Sequence, residues 1–152
     1  MPVDPFIPPE FVVPLRLETA DLRLEPLGPE HNEADYAAWS SSVDHIHSTP
    51  GWEGSSWPDE RTAADNLRDL ERHADDFRNR VGFTYTVVES ASGDVVGCVY
   101  IYPDRSGAHD AHVQSWVRAS RADLDGLLWR AVSGWLASEW PFESFVYAPR
   151  AS

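Results

Sequence analysis

The stretch GDVVGCVYIYPDRSGAHDAHVQSWVRASRADLDGLLWR, Gly93 to Arg130, decides how the chain is read. Val95–Tyr102 (VVGCVYIY) is a continuous β-branched and aromatic run, which predicts a strand buried on both faces. Pro103–Gly107 is turn chemistry, and His112–Val117 (HVQSWV) begins another strand. After a short polar loop, Leu127, Leu128, Ala131, Val132, Trp135 and Leu136 fall on one stripe, predicting a helix from Gly126 that stops near Trp140-Pro141.

The neighbours of this stretch extend the pattern. Phe83–Glu89 (FTYTVVE) reads as a strand that the turn Ser90-Ala-Ser-Gly93 folds back onto Val95–Tyr102 as a hairpin. Phe145–Tyr147 is a last short strand. Upstream, Leu15–Thr19 and Leu22–Leu27 alternate apolar and charged residues, the period of a half-buried strand. Gly28-Pro29 ends the second, and Glu30–Ser42 has helical spacing of Ala34, Ala37, Ala38 and Ser41. Val43–Pro58 (VDHIHSTPGWEGSSWP) reads as a long loop anchored by Trp52 and Trp57. Asp59–Arg80 carries Ala63, Leu67, Leu70, Ala74 and Phe77 every three or four residues, a helix with Pro58, Asp59 and Glu60 at its positive end. His73, beside this stripe, is read as a packed or surface residue. Pro2, Pro5, Pro8 and Pro9 make residues 1–14 an arm, and Phe6, Ile7, Phe11 and Val12 favour its docking on a single domain of residues 15–152.

A chain of 152 residues with 42% hydrophobic content can build one core. The net charge of −13 repels polyanions, which argues against a nucleic-acid or anionic-membrane partner. All 12 basic residues are arginines, so Schiff-base chemistry and a lysine base are excluded. Cys98 has no partner for an internal disulfide and sits between valines as a packing residue. The opening MPVDPFIPPE has neither a basic segment nor an apolar run, so no signal peptide or membrane span is expected and a cytoplasmic protein is the default. Asp44, His45 and His47 lack a third ligand at defined spacing, so no metal is expected.

The order strand, helix, helix, hairpin, strand, helix, strand resembles the GCN5-related N-acetyltransferases, and LETADLRLEPLGPE resembles the opening of their ribosomal-protein alanine acetyltransferase branch. The resemblance covers Leu17 to Tyr147 and implies an α/β GNAT-like acyl-CoA N-acyltransferase fold: a central mixed, mostly antiparallel sheet flanked by helices, without the family's last helix and hairpin. It implies acetyl-CoA as acyl donor and a small-molecule or peptide amine as acceptor. By the same resemblance, Trp116, Val117 and Arg118 would line pantetheine, while Arg121 and the backbone of Asp125, Gly126 and Leu127 would hold pyrophosphate at a helix start.

The residues leave two readings of that loop. In Arg121-Ala-Asp-Leu-Asp-Gly126, Leu124 replaces the family's first glycine, and Asp123 and Asp125 would either repel phosphate or cap the helix themselves. Arg118, Arg121 and Arg130 cluster around it, each with the alternative of pairing to nearby carboxylates. By chemistry alone His112, Asp110, His45 and His47 are the candidate bases. The rival to an enzyme is a non-catalytic binding or assembly protein whose exposed Trp52 and Trp57 meet a ligand or partner. A short terminal strand leaves a sheet edge, so the arm, a second subunit, or both are expected to complete the sheet, and a homodimer fits that need.

Overall fold

A computed structural model of the protein describes residues 5–59 and 61–150. Met1–Asp4 of the expected arm, Glu60 of the expected helix start, and the last two residues lie outside the described residues. Six strands form one sheet in sequence order: β1 (Leu17–Glu18), β2 (Leu22–Pro26), β3 (Phe83–Glu89), β4 (Val95–Pro103), β5 (Ala111–Val117) and β6 (Phe145–Tyr147). Neighbours are antiparallel except β5 and β6, which run parallel because helix α4 (Asp125–Glu139) carries the chain back between them. The other helices are α1 (Asn32–Ser40), α2 (Val43–His47) and α3 (Ala63–Arg78).

Side-chain alternation divides the core. Leu22 and Leu24, Phe83, Tyr85 and Val87, Val99 and Ile101, and Val113 and Val117 form one buried cluster with Leu128, Val132, Trp135 and Leu136 of α4. The opposite-facing Cys98 and Trp116 join Ala38, Trp39, Ile46, Trp52 and Leu70 in a second cluster. Burying Trp39, Trp116, Tyr85 and Phe83 almost completely removes a large apolar area from water, the main term holding the layers together.

Two elements differ from their sequence reading. The helix expected from Asp59 begins at Ala63, because Thr62 and Asp65 form a reciprocal capping box: each side chain accepts the other's backbone N–H at 3.1 Å. Within the expected loop, Val43–His47 is a short helix, pinned by the fully buried Ile46 and stopped where Thr49 Oγ1 donates to the His45 carbonyl at 2.8 Å.

Among its described residues the proline-rich segment does not extend the sheet. Residues 5–14 contain no strand, since prolines cannot supply ladder donors. They lie instead on the α4 side of the core, with Ile7 buried, Phe6 stacked against Phe83 and Phe142, and Phe11 against Trp140. Arg80 Nη2 donates to the carbonyls of Pro8 and Phe11 at 2.9 Å each, and Tyr85 Oη donates to that of Pro14 at 2.6 Å. At the far side of the sheet no further strand pairs with β6 among the described residues.

Gly97 sets the approach of β4 to β5. It stands opposite Val117, beside a bulge where Val87 and Val88 pair with Gly97 and Val95 and Val96 is left over. A Cβ at position 97 would lie 2.3 Å from the Trp116 carbonyl oxygen, a backbone atom that cannot rotate away. Gly97→Ala is expected to destabilise the protein by about 2–4 kcal/mol in urea unfolding; a change below about 0.5 kcal/mol would show that the strands are not this close.

Candidate functional site

The parallel pair β5 and β6 is joined only over Ala111–Val113 and Phe145–Tyr147, while β5 runs on to Val117. Beyond Val113 the strands part, and the Ser115 carbonyl has no strand partner on that side among the described residues. Two side chains satisfy it instead: Trp52 Nε1 and Arg150 Nη2, each donating at 2.8 Å. Arg150 is almost wholly buried. Its Nε donates to Asp125 Oδ2 at 2.7 Å and its Nη1 to the Ala148 carbonyl at 2.7 Å. The guanidinium therefore fills the opening between the strands and ties it to the first residue of α4. Ser115 Oγ and Tyr147 Oη, 2.6 Å apart, complete the lining, and burial pushes the Tyr147 hydroxyl up to about 12.

At the start of α4 a cavity of about 480 Å³ is lined by Gly126, Leu127, Arg130 and Arg150 together with Asp123 and Asp125. Of the residues expected around phosphate, Asp125, Gly126 and Leu127 lie in its wall. Arg121 turns elsewhere, pairing with Glu89 and with Asp123 Oδ2 at 3.2 Å. Leu124, where the family's first glycine would be, is buried in the core. Neither Asp123 nor Asp125 caps α4, whose N-cap position is Leu124 and has no side-chain cap. Arg130 is exposed and has no carboxylate partner among the described residues. The Trp116 side chain points away from the strand opening, into the second core cluster, where its Nε1 donates to Tyr100 Oη at 2.9 Å. Val117 is buried on the α4 side, and Arg118 reaches the Val95 carbonyl at 3.4 Å.

On the other face of the sheet, a cavity of about 350 Å³ opens between α1, α3, β4 and the loop bearing Trp52 and Trp57. The rings of Trp52, Trp57 and Tyr100 stand 5.3–6.4 Å apart, centre to centre. Trp52 is thus a packed residue, only 6% exposed, and Trp57 is half-buried against it. Asp35, at 3% exposure, contributes to the same wall; its Oδ2 accepts from Asn66 Nδ2 at 3.1 Å, and its Oδ1 has no partner among the described residues. Burial raises the Asp35 carboxyl to about 6, partly offset by the Asn66 bond. Asn66 also accepts from Trp39 Nε1 at 3.1 Å, so the carboxylate is held by a residue itself fixed in the core.

His73 is the other titratable group in this wall. Tyr102 donates its only hydroxyl hydrogen to Asp76 Oδ2 at 2.8 Å, so the contact of 2.9 Å between His73 Nδ1 and the Tyr102 oxygen requires Nδ1 to carry the proton. Nε2 then holds the lone pair. Burial lowers the imidazole to about 4, leaving it neutral at pH 7. The bases expected from sequence lie elsewhere: His112 and Asp110 are exposed, with Asp110 Oδ2 accepting from the Glu143 N–H, and no group of three or more metal-type ligands forms among the described residues.

Asp35 and Asn66 do leave a trace in the sequence. Asp35 is three and four residues before Ala38 and Trp39, and Asn66 four before Leu70, which places a polar residue on each apolar stripe. A polar residue at such a position is buried and must be partnered. His73 leaves none, because its tautomer depends on Tyr102 and Asp76 from distant sequence positions.

No family model matches the sequence, and no curated protein matches it. Solved structures do share the fold. The ribosomal-protein-S5-alanine acetyltransferase of Vibrio fischeri is 13% identical with a TM-score of 0.61, over 81% of this chain and 67% of that one. The acetyltransferase that modifies the N-terminal serine of ribosomal protein L7/L12 in Salmonella typhimurium is 11% identical with a TM-score of 0.65, over 85% and 71%. The microcin C7 self-immunity acetyltransferase MccE, in complex with acetyl-CoA and AMP, is 16% identical with a TM-score of 0.60, over 78% of this chain and 62% of its own length. The chain thus has the GCN5-related acyl-CoA N-acyltransferase fold, and it spans about two thirds of the length of these structures.

Asp35 gives the site a pH signature. Its folded value of about 6 lies above its ordinary 3.8, so the stability it contributes is complete below pH 3.8 and is lost as pH rises through 6. Asp35→Asn removes the buried charge and keeps an acceptor for Asn66. It should therefore stabilise the protein at pH 7.5 by on the order of 1–3 kcal/mol, with the gain disappearing near pH 4. Paired urea titrations at the two pH values measure this, and equal effects at both would contradict the assignment.

Proposed function

We propose that the protein is an N-acetyltransferase that moves an acetyl group from acetyl-CoA to an amine. The observation that carries this reading is the parting of β5 from β6 directly above a helix start, in a fold shared with acetyltransferases. The residues present fit the donor. Arg130 offers an unpaired cation, and the backbone N–H groups at the start of α4 offer donors and partial positive charge to a pyrophosphate. Asp125 is countered by Arg150 and Asp123 by Arg121, which limits the repulsion two bare carboxylates would exert.

Acetyl-CoA, when bound, supplies the activated thioester. The backbone from Ser115 through Arg118 lines the route of its arm, and Arg150 must leave the Ser115 carbonyl to open that route. Trp52 touches both sides of the sheet opening: its N–H holds Ser115 while its ring walls the aromatic cavity. That cavity is where the acceptor amine approaches, and Asp35 and His73 are its two groups able to take a proton from the amine. The acceptor is a small molecule or a peptide amine.

A homodimer and a cytoplasmic location complete the proposal. The edge of β6, which has no partner strand among the described residues and where Val146 is 38% exposed, is the surface on which a second copy would extend the sheet. No helix among the described residues is long and apolar enough to cross a membrane.

Titration calorimetry with acetyl-CoA tests the reading. Saturable binding is expected, weakened about tenfold in Arg130→Ala, the loss of roughly one charge-assisted contact. No binding by the wild-type protein at millimolar acetyl-CoA would end the donor assignment and leave a binding protein that retains the fold.

A further inference from the structure

We propose that Arg150 is an autoinhibitory plug: in the free protein its guanidinium shuts the opening between β5 and β6, and the arm of an acyl donor enters only by displacing it. The plug belongs to the donor site of the acetyltransferase reading, rests on that reading, and adds a control step to it. The chain makes the plug by leaving the sheet. After Tyr147 pairs with Val113, no further residue pairs with β5 on that side among the described residues. Ala148 is half-buried and Pro149 exposed, so Arg150 is the residue that brings the segment back onto the body, its side chain only 3% exposed.

The contacts of that side chain are those of a bound ligand. Nη2 donates to the Ser115 carbonyl at 2.8 Å and stands 3.4 Å from Ser115 Oγ, Nη1 donates to the Ala148 carbonyl at 2.7 Å, and Nε donates to Asp125 Oδ2 at 2.7 Å. Its Cζ lies 5.7 Å from the centre of the Tyr147 ring. The Ser115 carbonyl thus already accepts from both Arg150 and Trp52, one donor for each lone pair. An amide N–H of a guest in the opening finds that acceptor taken, and guest and guanidinium cannot fill the same space.

The same contacts leave the plug removable. Its ion pair rests on a single hydrogen bond rather than a two-pronged fork, since Asp125 Oδ1 has no partner among the described residues. A buried ion pair gains little beyond the cost of desolvating its two charges, so releasing one costs less than unseating an apolar core residue. Arg150 also lines the cavity of about 480 Å³ at the start of α4, which receives the guanidinium when it leaves Ser115. A site open in only a fraction of the molecules has its apparent affinity reduced by that fraction, so removing the plug should tighten binding.

Acetyl-CoA alone would not isolate the plug, because removing Arg150 also bares Asp125 toward the phosphates. S-Acetylpantetheine, which carries the arm and no phosphate, is therefore titrated against the wild-type chain and Arg150→Ala. The Trp52 indole N–H, which shares the Ser115 carbonyl, is followed by NMR. Arg150→Ala should bind the probe at least tenfold tighter than the wild type, as for an opening shut in roughly nine molecules of ten. Asp125→Asn/Arg150→Ala, which leaves no bare carboxylate at position 125, should show the same gain and serves if the single variant fails to fold. Acetyl-CoA is titrated against the wild type in parallel. Equal or weaker binding of S-acetylpantetheine in the folded variant, beside a wild type that takes up acetyl-CoA, would overturn the plug and leave the donor reading intact. No binding of acetyl-CoA by the wild type and none of S-acetylpantetheine by either variant would remove the donor reading, and the plug with it.

Discussion

The Ser115 carbonyl is the atom on which the two halves of this fold meet. β5 needs a partner on the side away from β4, and β6 provides one only as far as Val113. A carbonyl left in that position would carry the cost of an unsatisfied buried acceptor. Trp52 from one face and Arg150 from the chain beyond β6 each give it a hydrogen bond. Through Trp52 the carbonyl fixes the loop that walls the aromatic cavity, and through Arg150 it fixes Asp125 at the start of α4. A single backbone group thus couples the proposed acceptor side to the proposed donor side.

The two sides differ in their electrostatic problem. Near α4, Asp123 pairs with Arg121, which also holds Glu89, and Asp125 pairs with Arg150, while Arg130 has no carboxylate partner among the described residues. Across the sheet Arg61 and Arg72 both pair with Asp69, while Asp35 has no cationic partner and its Oδ1 no hydrogen-bond donor among the described residues. In a chain of net charge −13, an exposed arginine thus stands beside a helix start on one face of the sheet, and a buried carboxyl group stands among aromatic rings on the other.

Much of the architecture was legible because the strands are short, alternating and bounded by turn residues. Phe83–Glu89 and Phe145–Tyr147 fall where the sequence puts them, and the fold resemblance rests on that order. Boundaries failed where side chains decide them: Thr62 and Asp65 delay α3, and Ile46 turns part of a loop into a helix. The site was less legible, for a related reason. Arg121 was expected at phosphate from its position in a motif, but its placement depends on Glu89, far away in sequence. Arg150 had no motif to announce it. Asp35 and His73 acquire their character from Asn66, Tyr102 and Asp76, which only the folded chain brings near.

Whether the strand opening admits the donor can be read directly from the Arg150 side chain. In the free protein its Nε–H, bonded to Asp125 and buried, should give a distinct, slowly exchanging NMR signal. Saturating acetyl-CoA should shift that signal or abolish its protection as the guanidinium leaves Ser115, while the α4 core amides remain protected. An Arg150 signal that keeps its position and protection in the presence of bound acetyl-CoA would contradict the account, because the donor would then have entered somewhere other than between β5 and β6.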